Sequence, residues 1–187
     1  IQEAAEDNNG NFKLRVMASH GGTIDPETEE LARTLVSGPI GGIIGGLSLA
    51  EEIGIENVVC TDIGGTSFDM GVITDNDFVI DYRPDMASLL LSLPMVEMES
   101  VGAGTGSYVR VDPVFNSISI GPDSAGDKVG VSNLDADVET VTVTDCQVAM
   151  GIINPDNFLG GRMSIDRDTA VDAVREQIAE PMGLELY

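Results

Sequence analysis

VVCTDIGGTSFD, residues 58–69, predicts two short strands joined by a glycine turn that carboxylates flank. Gly64 and Gly65 remove side chains where a ligand must approach the backbone, and they permit positive φ angles. Successive N–H groups in such a turn form a concave anion site. Asp62 and Asp69 beside it suit a hard divalent cation that accompanies a phosphate. An ordinary β-hairpin with a Gly-Gly turn fits the same residues, so the turn alone leaves both interpretations open.

The surroundings of the turn favour a phosphate site. Thr66 and Ser67 add hydroxyl donors, and apolar runs over residues 58–62 and 68–74 predict a strand on either side. A phosphate bound here is expected to be held by backbone amides and a cation rather than by lysines, because 32 acidic residues face 9 basic ones. The predicted ligand is therefore a nucleoside triphosphate with a metal.

A glycine-rich helix is predicted upstream of this turn, over residues 40–53, with Gly54 at its end. Ser37 is the candidate N-cap, since a hydroxyl residue before Pro39 is typical of a helix start. Each glycine in a helix interior costs about 1 kcal/mol relative to alanine, so the helix glycines need a reason. Tight packing of the helix on a strand and a helix face that lines a nucleotide cleft fit equally well.

A second glycine-rich loop, Gly102–Ser107, precedes a strand rather than a helix, which excludes a Rossmann dinucleotide loop. Further strands are predicted at Phe12–Ser19, Phe78–Tyr82, Tyr108–Val111, Ile118–Ile120 and Glu139–Thr144. The strand over residues 78–82 is expected to complete a three-stranded meander with the strands around the turn. Pro94 argues against one continuous strand through its flanks.

Helices are expected near both ends of the chain. Residues 1–10 are predicted to end a helix, and a short helix through Gln147–Met150 is expected to be capped by Thr144 or Asp145. Asp166 is predicted to cap a helix over Thr169–Ala179. The segments Gly121–Gly126 and Asn154–Arg162 are predicted to be loops.

The composition indicates a globular chain with an acidic surface. Its 187 residues, 42% of them apolar, can form one domain or two small ones. The net charge of −23 makes nucleic acid and anionic membranes poor partners, because both carry negative charge. A solvated acidic surface explains this charge, and adaptation to high salt is the alternative.

The cysteines and the lack of export signals predict a cytoplasmic location. Cys60 and Cys146 lie in apolar runs without metal-ligand spacing, so both are expected to be buried, reduced thiols. No apolar run approaches the roughly 18 residues of a membrane span, and no secretory signal is visible.

Five motifs occur in the order expected of one protein family: TLVSGPIGGIIGG (34–46), DIGGTSFDMGVI (62–73), SVGAGTGSYVRVD (100–112), IGPDSAG (120–126), and VTVTDCQVAMG with NPDNFLGGRM (141–163). The turn resembles the second phosphate loop of the actin-like ATPase superfamily. The whole set resembles the hydantoinase A/5-oxoprolinase family, which includes the ATPase subunits of acetone and acetophenone carboxylases. The resemblance covers roughly residues 12–183.

The resemblance implies an α/β fold, namely part of an actin-like ATPase (ribonuclease H-like) domain with a mixed sheet and flanking helices, plus a β-rich segment. It implies that residues 1–187 are a fragment of the hydantoinase A-type ATPase domain, with any subdivision near residues 100–130. The first phosphate loop would lie outside this fragment. The isolated fragment is therefore expected to bind ATP weakly and not to hydrolyse it.

Two departures from the family pattern lean toward its carboxylase-type branch. Phe68 stands where members usually have threonine in DMGGTSTD. Residues 128–140 replace the PGPxCYxxGG stretch that usually follows the SAG loop.

The resemblance also implies ATP and Mg²⁺ as cofactors and assigns roles to residues. Asp62 would orient Mg²⁺ through water, and Asp69 would hold a metal-bound water or a turn amide; these are the catalytic candidates. The residues that would hold the β- and γ-phosphates are Gly64, Gly65, Thr66 and Ser67. The helix residues that would border the phosphates are Ser37, Gly38, Gly41 and Gly42. The residues that would form a further wall of the cleft are Gly102, Gly104, Gly106 and Ser107.

The implied chemistry is ATP-driven activation of an unreactive carbonyl. The substrate is expected to be a cyclic imide or lactam that is opened by water, or a ketone that is carboxylated with bicarbonate. A partner subunit in a heteromer is also expected.

A small-molecule kinase and a non-catalytic ATP-dependent switch are the alternative functions, and the loops at 102–107 and 120–126 disfavour the switch. His20, the only histidine, is expected to be structural.

Overall fold

The computed structural model describes residue 7 and residues 12–86 and 89–186, and it confirms a mixed α/β fold. The helix predicted to end within residues 1–10 lies outside the described residues, apart from Asp7. The chain divides into two compact units. Unit 1 consists of Ile1–Asp62 and Asp69–Glu99, and unit 2 consists of Ile63–Phe68 and Ser100–Tyr187.

The described part of unit 1 begins with a short antiparallel hairpin of β1 (Val16–Met17) and β2 (Thr23–Ile24). The strand predicted over Phe12–Ser19 is therefore only two residues long. The chain turns back directly after it, because the Ala18 N–H donates to the carbonyl of Gly22 at 2.8 Å. A 3₁₀ turn, Leu31–Thr34, then leads to the first long helix.

Helix α1 (Ser37–Ile53) starts three residues earlier than predicted. Val36 precedes it in the left-handed region at φ 49°, and no side chain caps the helix. The prediction that Ser37 is the N-cap is therefore wrong, because the break in backbone conformation falls one residue earlier. The predicted end is confirmed: Gly54 adopts φ 75°, which suits a glycine at a helix C-terminus.

A small sheet follows the helix. Seven strands follow α1, and three of them extend by one or two residues into unit 2. They are β3 (Val58–Ile63), β4 (Phe68–Ile73), β5 (Ile80–Asp81), β6 (Asp85–Met86), β7 (Leu89–Leu90), β8 (Met95–Val96) and β9 (Met98–Val101). Three of them form a sheet in the order β3-β4-β9. The strands β3 and β4 are antiparallel neighbours, because a four-residue connection cannot join parallel strands.

The predicted meander is wrong in its third strand. Within residues 78–82, only Ile80–Asp81 is a strand, and it pairs with Met95–Val96 instead of with β4. A tight turn explains the change, since Thr74 and Asp77 bridge each other and the chain then leaves the sheet. The break at Pro94 is confirmed, because β7 and β8 are separate strands.

The core of unit 1 holds α1 against the strands. Ile40 and Ile43 of the helix pack with Ile73, Met95 and Val96, and all five are buried. Full burial of an aliphatic side chain stabilises the fold by about 1.5–3 kcal/mol, so this cluster fixes the helix relative to β4.

Unit 2 is built on a hairpin of β10 (Ser107–Asp112) and β11 (Ser117–Ser124). The loop predicted over Gly121–Gly126 is wrong for its first four residues. They continue β11, because Ser124 still pairs with Ser107 across a bulge. Only the residues after Ser124 form a loop and a 3₁₀ turn, Gly126–Lys128.

The strand predicted over Glu139–Thr144 is also wrong. Thr142 makes one isolated bridge to Tyr108, and helix α2 (Val143–Ala149) starts directly after it. Thr142, rather than Thr144 or Asp145, is the N-cap, and it forms a capping box with Asp145. The reciprocal bonds of that box stabilise a helix start and outweigh the β-propensity of the threonines and valines.

The predicted N-cap of the last helical region, Asp166, is confirmed. The side chain of Asp166 accepts a hydrogen bond from the N–H of Thr169 at 2.7 Å. The helix runs through α3 (Arg167–Val174), a π-helical turn (Arg175–Ala179) and α4 (Glu180–Met182). The segment predicted as a loop at 154–162 contains 3₁₀ turns over Pro155–Gly161 with non-helical residues among them.

The core of unit 2 joins the hairpin to the helices through Val109, Val141, Val174 and Ile178. Among the residues that the structure describes, no helix is long and apolar enough to cross a membrane.

Candidate functional site

The two predicted catalytic carboxylates line the same cavity in unit 1. Asp62 lies near the end of β3 and Asp69 near the start of β4, and the cavity beside them has a volume of about 230 Å³. The Asp62 residue is exposed and Asp69 is half-buried. The other residues around the cavity are Pro39, Gly42, Ile43, Cys60, Thr61, Met70, Gly71 and Met98.

The glycines of α1 have different surroundings: one lines the cavity and another packs on a strand. Gly42 lines the cavity, and a Cβ added there would have no neighbour within 4 Å. Gly46 packs against a strand, since its Cβ would lie 2.5 Å from the Cys60 sulfur. Gly41 faces Met17, and neither Ser37 nor Gly38 lines the cavity. Of the four predicted helix residues, the structure thus brings only Gly42 to the two carboxylates.

Gly71 also shapes this cavity, and the sequence reasoning missed it. A Cβ at Gly71 would overlap the side chain of Ile43, so glycine lets α1 approach β4 closely. Its position in DIGGTSFDMGVI (62–73), two residues after Asp69, was the available signal.

The carboxylate pair suits magnesium better than a metal held entirely by protein. Across the described ranges, no three His, Cys, Asp or Glu residues converge as a metal-ligand group. Mg²⁺ usually takes one or two carboxylates and completes its shell with water and phosphate oxygens. Two carboxylates at an open cavity fit that pattern, whereas a structural zinc site needs four ligands.

In unit 2, the glycine turn is fixed by the second glycine loop. Every carbonyl of Gly64, Gly65 and Thr66 accepts a hydrogen bond from a backbone N–H of that loop. The bonds run from Thr105 to Gly64 (2.9 Å), from Gly106 to Gly65 (2.8 Å) and from Gly104 to Thr66 (3.2 Å). The carbonyls of these three residues are therefore directed at the second glycine loop.

The amide groups of the turn differ in their partners. Gly64 N–H donates to the carbonyl of Ser67 at 2.9 Å. For the N–H groups of Gly65 and Thr66, the described residues provide no acceptor, and both residues are exposed. Adjacent free amides on a turn form an anion-binding concavity.

Two of the four predicted loop residues contact the turn directly. A Cβ at Gly104 would lie 2.5 Å from the Thr66 nitrogen and 2.6 Å from the Gly64 oxygen. A Cβ at Gly106 would lie 2.9 Å from the Gly65 oxygen. The other two residues lie elsewhere. Gly102 packs on Pro122, and the Ser107 hydroxyl is buried with no hydrogen-bond partner in the described part of the chain.

Ser124 and Thr144 support the same arrangement, although sequence reasoning gave them no such role. The Ser124 hydroxyl donates to the carbonyl of Gly65 at 3.1 Å. Thr144 donates to the Thr105 carbonyl from its N–H at 2.8 Å and from its hydroxyl at 2.9 Å. Helix α2 thus fixes the second glycine loop, and this loop in turn fixes the glycine turn.

Asp145 fixes the start of α2. Its buried carboxylate accepts N–H groups from Val131 (3.1 Å), Ser132 (2.9 Å) and Thr142 (2.8 Å). Gly130 has no side chain where one would overlap this carboxylate. A buried carboxylate needs such partners, so Asp145 has a supporting role in unit 2.

The thiols and the histidine take no part in this arrangement of donors. Both cysteines are half-buried rather than fully buried as predicted. Burial raises the pKa of the Cys60 thiol, and burial together with the Asp145 charge raises the pKa of Cys146 to about 11. Neutral thiols are poor nucleophiles, so neither suits covalent catalysis. His20 is half-buried and does not line the cavity.

Comparison with known proteins identifies one family for this chain. The family model for Hydantoinase/oxoprolinase matches residues 1–187. The beta subunit of acetone carboxylase from Xanthobacter autotrophicus is 53% identical over 186 residues, which cover 100% of this chain and 26% of that subunit. The related enzymes are ATP-dependent, and this relative is a subunit of a larger assembly.

Two solved structures share the fold. Nucleotide-free acetone carboxylase superposes with a TM-score of 0.88 at 54% identity, covering 99% of this chain and 26% of that one. ATP-dependent caprolactamase from Pseudomonas jessenii superposes with a TM-score of 0.79 at 32% identity, covering 98% and 27%. The chain thus spans about a quarter of the length of these relatives, and it belongs to the hydantoinase/oxoprolinase family.

Proposed function

We propose that this chain is part of the ATP-binding region of an ATP-dependent ketone carboxylase subunit. The observation that supports the proposal is the pair of N–H groups at Gly65 and Thr66, which have no acceptor among the described residues, while the carbonyls of both residues are held by the second glycine loop. Asp62 lies two residues before this turn in the sequence. Mg-ATP supplies both a phosphate, which suits the amides, and a cation, which suits a carboxylate.

Each residue then has a defined task. The N–H groups of Gly65 and Thr66 donate to phosphate oxygens, and Ser67 contributes its hydroxyl. Asp62 holds Mg²⁺, either directly or through water, and Asp69 accepts a hydrogen bond from a metal-bound water or from an amide. Gly42 keeps the helix face open beside the two carboxylates. Bound Mg²⁺ supplies positive charge that offsets the charge of the phosphates.

The carboxylase branch is favoured by sequence. The chain is 53% identical to the acetone carboxylase subunit and 32% identical to the caprolactamase structure. The two departures from the family pattern, at Phe68 and at residues 128–140, also favour the carboxylase-type branch. The proposed substrates are therefore a small ketone and bicarbonate, and the proposed partners are the other subunits of a carboxylase heteromer.

Substrate-dependent ATP turnover by the full-length protein with its partner subunits tests this proposal. Acetone with bicarbonate should raise turnover, whereas caprolactam and 5-oxoproline should not. Asp62→Asn should lower turnover by about 100-fold, the order of loss expected when a group that stabilises transition-state charge is removed. Stimulation by a lactam alone would assign the chain to the hydrolase branch, and failure to bind Mg-ATP would refute ATP dependence.

The isolated segment is proposed to be inactive by itself. It spans about 26% of the related subunit, so most residues of a complete active site would come from elsewhere. Calorimetric titration of residues 1–187 with Mg-ATP should show weak binding, and micromolar affinity would contradict this.

A further inference from the structure

The loop that follows β11 packs against both glycine segments of unit 2. The Ala125 N–H donates to the carbonyl of Gly106 at 2.9 Å. The Gly126 carbonyl lies 3.9 Å from where a Cβ of Gly65 would be, and 3.2 Å from that of Gly106. Together with the bond from Ser124 to Gly65, these contacts place the loop beside the exposed turn.

Lys128 ends this loop with a fixed backbone. Its N–H donates to the Ala125 carbonyl at 3.2 Å, and its own carbonyl accepts from the Gly130 N–H at 3.0 Å and from the Asn133 side-chain amide at 3.0 Å. The next residue, Val129, lies at φ 75° and ψ −64°. A β-branched residue in this conformation is strained, and such strain is retained where the surrounding structure requires one geometry.

The side chain of Lys128 is exposed, and the described residues offer its ammonium group no partner. Within the described part of unit 2, every arginine has a partner. Arg110 and Arg175 pair with carboxylates, and Arg162 and Arg167 donate to carbonyl oxygens. Lys128 has no ion pair or hydrogen bond from its ammonium group within those residues. A cation without a partner is notable in a chain of net charge −23.

We propose that Lys128 is a further phosphate-binding residue at the glycine turn. This inference rests on the proposed function, and it departs from the expectation that backbone amides and a cation, rather than lysines, hold the phosphate. The flexible four-carbon stem of a lysine can carry its ammonium from this loop toward the adjacent turn, and lysine is a common ligand of phosphate oxygens. Its charge would complement the two free amides, which carry only partial charge.

Titration of the full-length protein with Mg-ATP tests the proposal through two substitutions. Lys128→Met removes the charge and keeps most of the stem, and it should weaken Mg-ATP binding about tenfold, as loss of a charge-assisted hydrogen bond does. Lys128→Arg keeps the charge and should retain most of the affinity. The matched control is Lys13→Met, which makes the same change in net charge at a lysine that pairs with Asp25 in unit 1.

The outcomes separate this inference from the proposed function. Equal affinities for Lys128→Met and the wild type, with both proteins folded by circular dichroism, would overturn the role of Lys128 alone. An equal loss in Lys13→Met would assign the effect to net charge and would also overturn it. Absence of Mg-ATP binding by the wild type would instead refute the proposed function. A selective loss in Lys128→Met supports both.

Discussion

Helix α1 and the loop Gly102–Ser107 are both rich in glycine, but their glycines have different surroundings. In the helix, a Cβ added at Gly38, Gly42 or Gly45 would meet no described neighbour within 4 Å. In the loop, a Cβ at Gly104 would lie 2.5–2.6 Å from three backbone atoms of the turn. These three helix glycines leave space, whereas the loop glycine allows contact between two backbones.

This difference separates a glycine that allows two backbones to touch from glycines that leave open space. Backbone atoms cannot move aside as the end of a flexible side chain can, so the loop tolerates no larger residue at position 104. The open face of α1 tolerates a residue larger than glycine, except at positions that line the cavity or pack on a strand. Substitution of single glycines can therefore separate the two roles.

The largest effect is expected from Gly104→Ala. Its methyl group would displace the turn by a distance on the order of 1 Å, and a displacement of that size can cost about 100-fold in turnover. ATP turnover of the full-length protein with its partners measures this loss. Gly45→Ala is the matched control and should retain wild-type turnover. Equal activities of the two variants would abolish the distinction between the regions.

A smaller effect is expected from Thr144→Val, which removes the hydroxyl donor to the Thr105 carbonyl and keeps the shape of the side chain. We expect the free energy of unfolding of unit 2 to fall by about 1 kcal/mol, the net contribution of one hydrogen bond. The KM for Mg-ATP should rise more than kcat falls, because the second glycine loop positions residues 64–66, which are proposed to bind phosphate.

Thr144→Ser keeps the donor and should restore the KM of the wild type. If Thr144→Val and Thr144→Ser both behave as the wild type, helix α2 does not support the loop through this bond.

The smallest effect is expected within α1 itself, from the neighbouring glycines Gly45 and Gly46. Gly45→Ala should stabilise the protein by up to about 1 kcal/mol, because alanine has the higher helix propensity and meets no neighbour. Gly46→Ala should destabilise it, since the new methyl group would contact the Cys60 sulfur at 2.5 Å. Thermal unfolding of the full-length protein gives the sign of each change, and equal signs would contradict the packing described for the helix.

Local signals in the sequence were sufficient for the turn and for the helix end. The Gly-Gly turn between two apolar runs is determined by neighbouring residues, and so is Gly54 at the end of α1. The cap of Asp166 on the last helix was likewise predicted from a few adjacent residues, and it is confirmed.

Contacts between distant residues were not predictable in this way. Residues 98–101 occupy the sheet position expected for residues 78–82, because strand pairing is decided by tertiary contacts. The β-branched run before Asp145 resembles a strand, but its carboxylate and Thr142 form a capping box and start a helix. The role of Gly104 depends on a turn about 40 residues away, which no local pattern can show.

A structure of the full-length protein with Mg²⁺ and a non-hydrolysable ATP analogue tests the proposed phosphate site most directly. We expect phosphate oxygens within hydrogen-bonding distance of the Gly65 and Thr66 nitrogens, with Mg²⁺ held by Asp62 directly or through one water. Phosphates bound away from residues 64–67, or a turn whose carbonyls leave the second glycine loop to face the ligand, would contradict it.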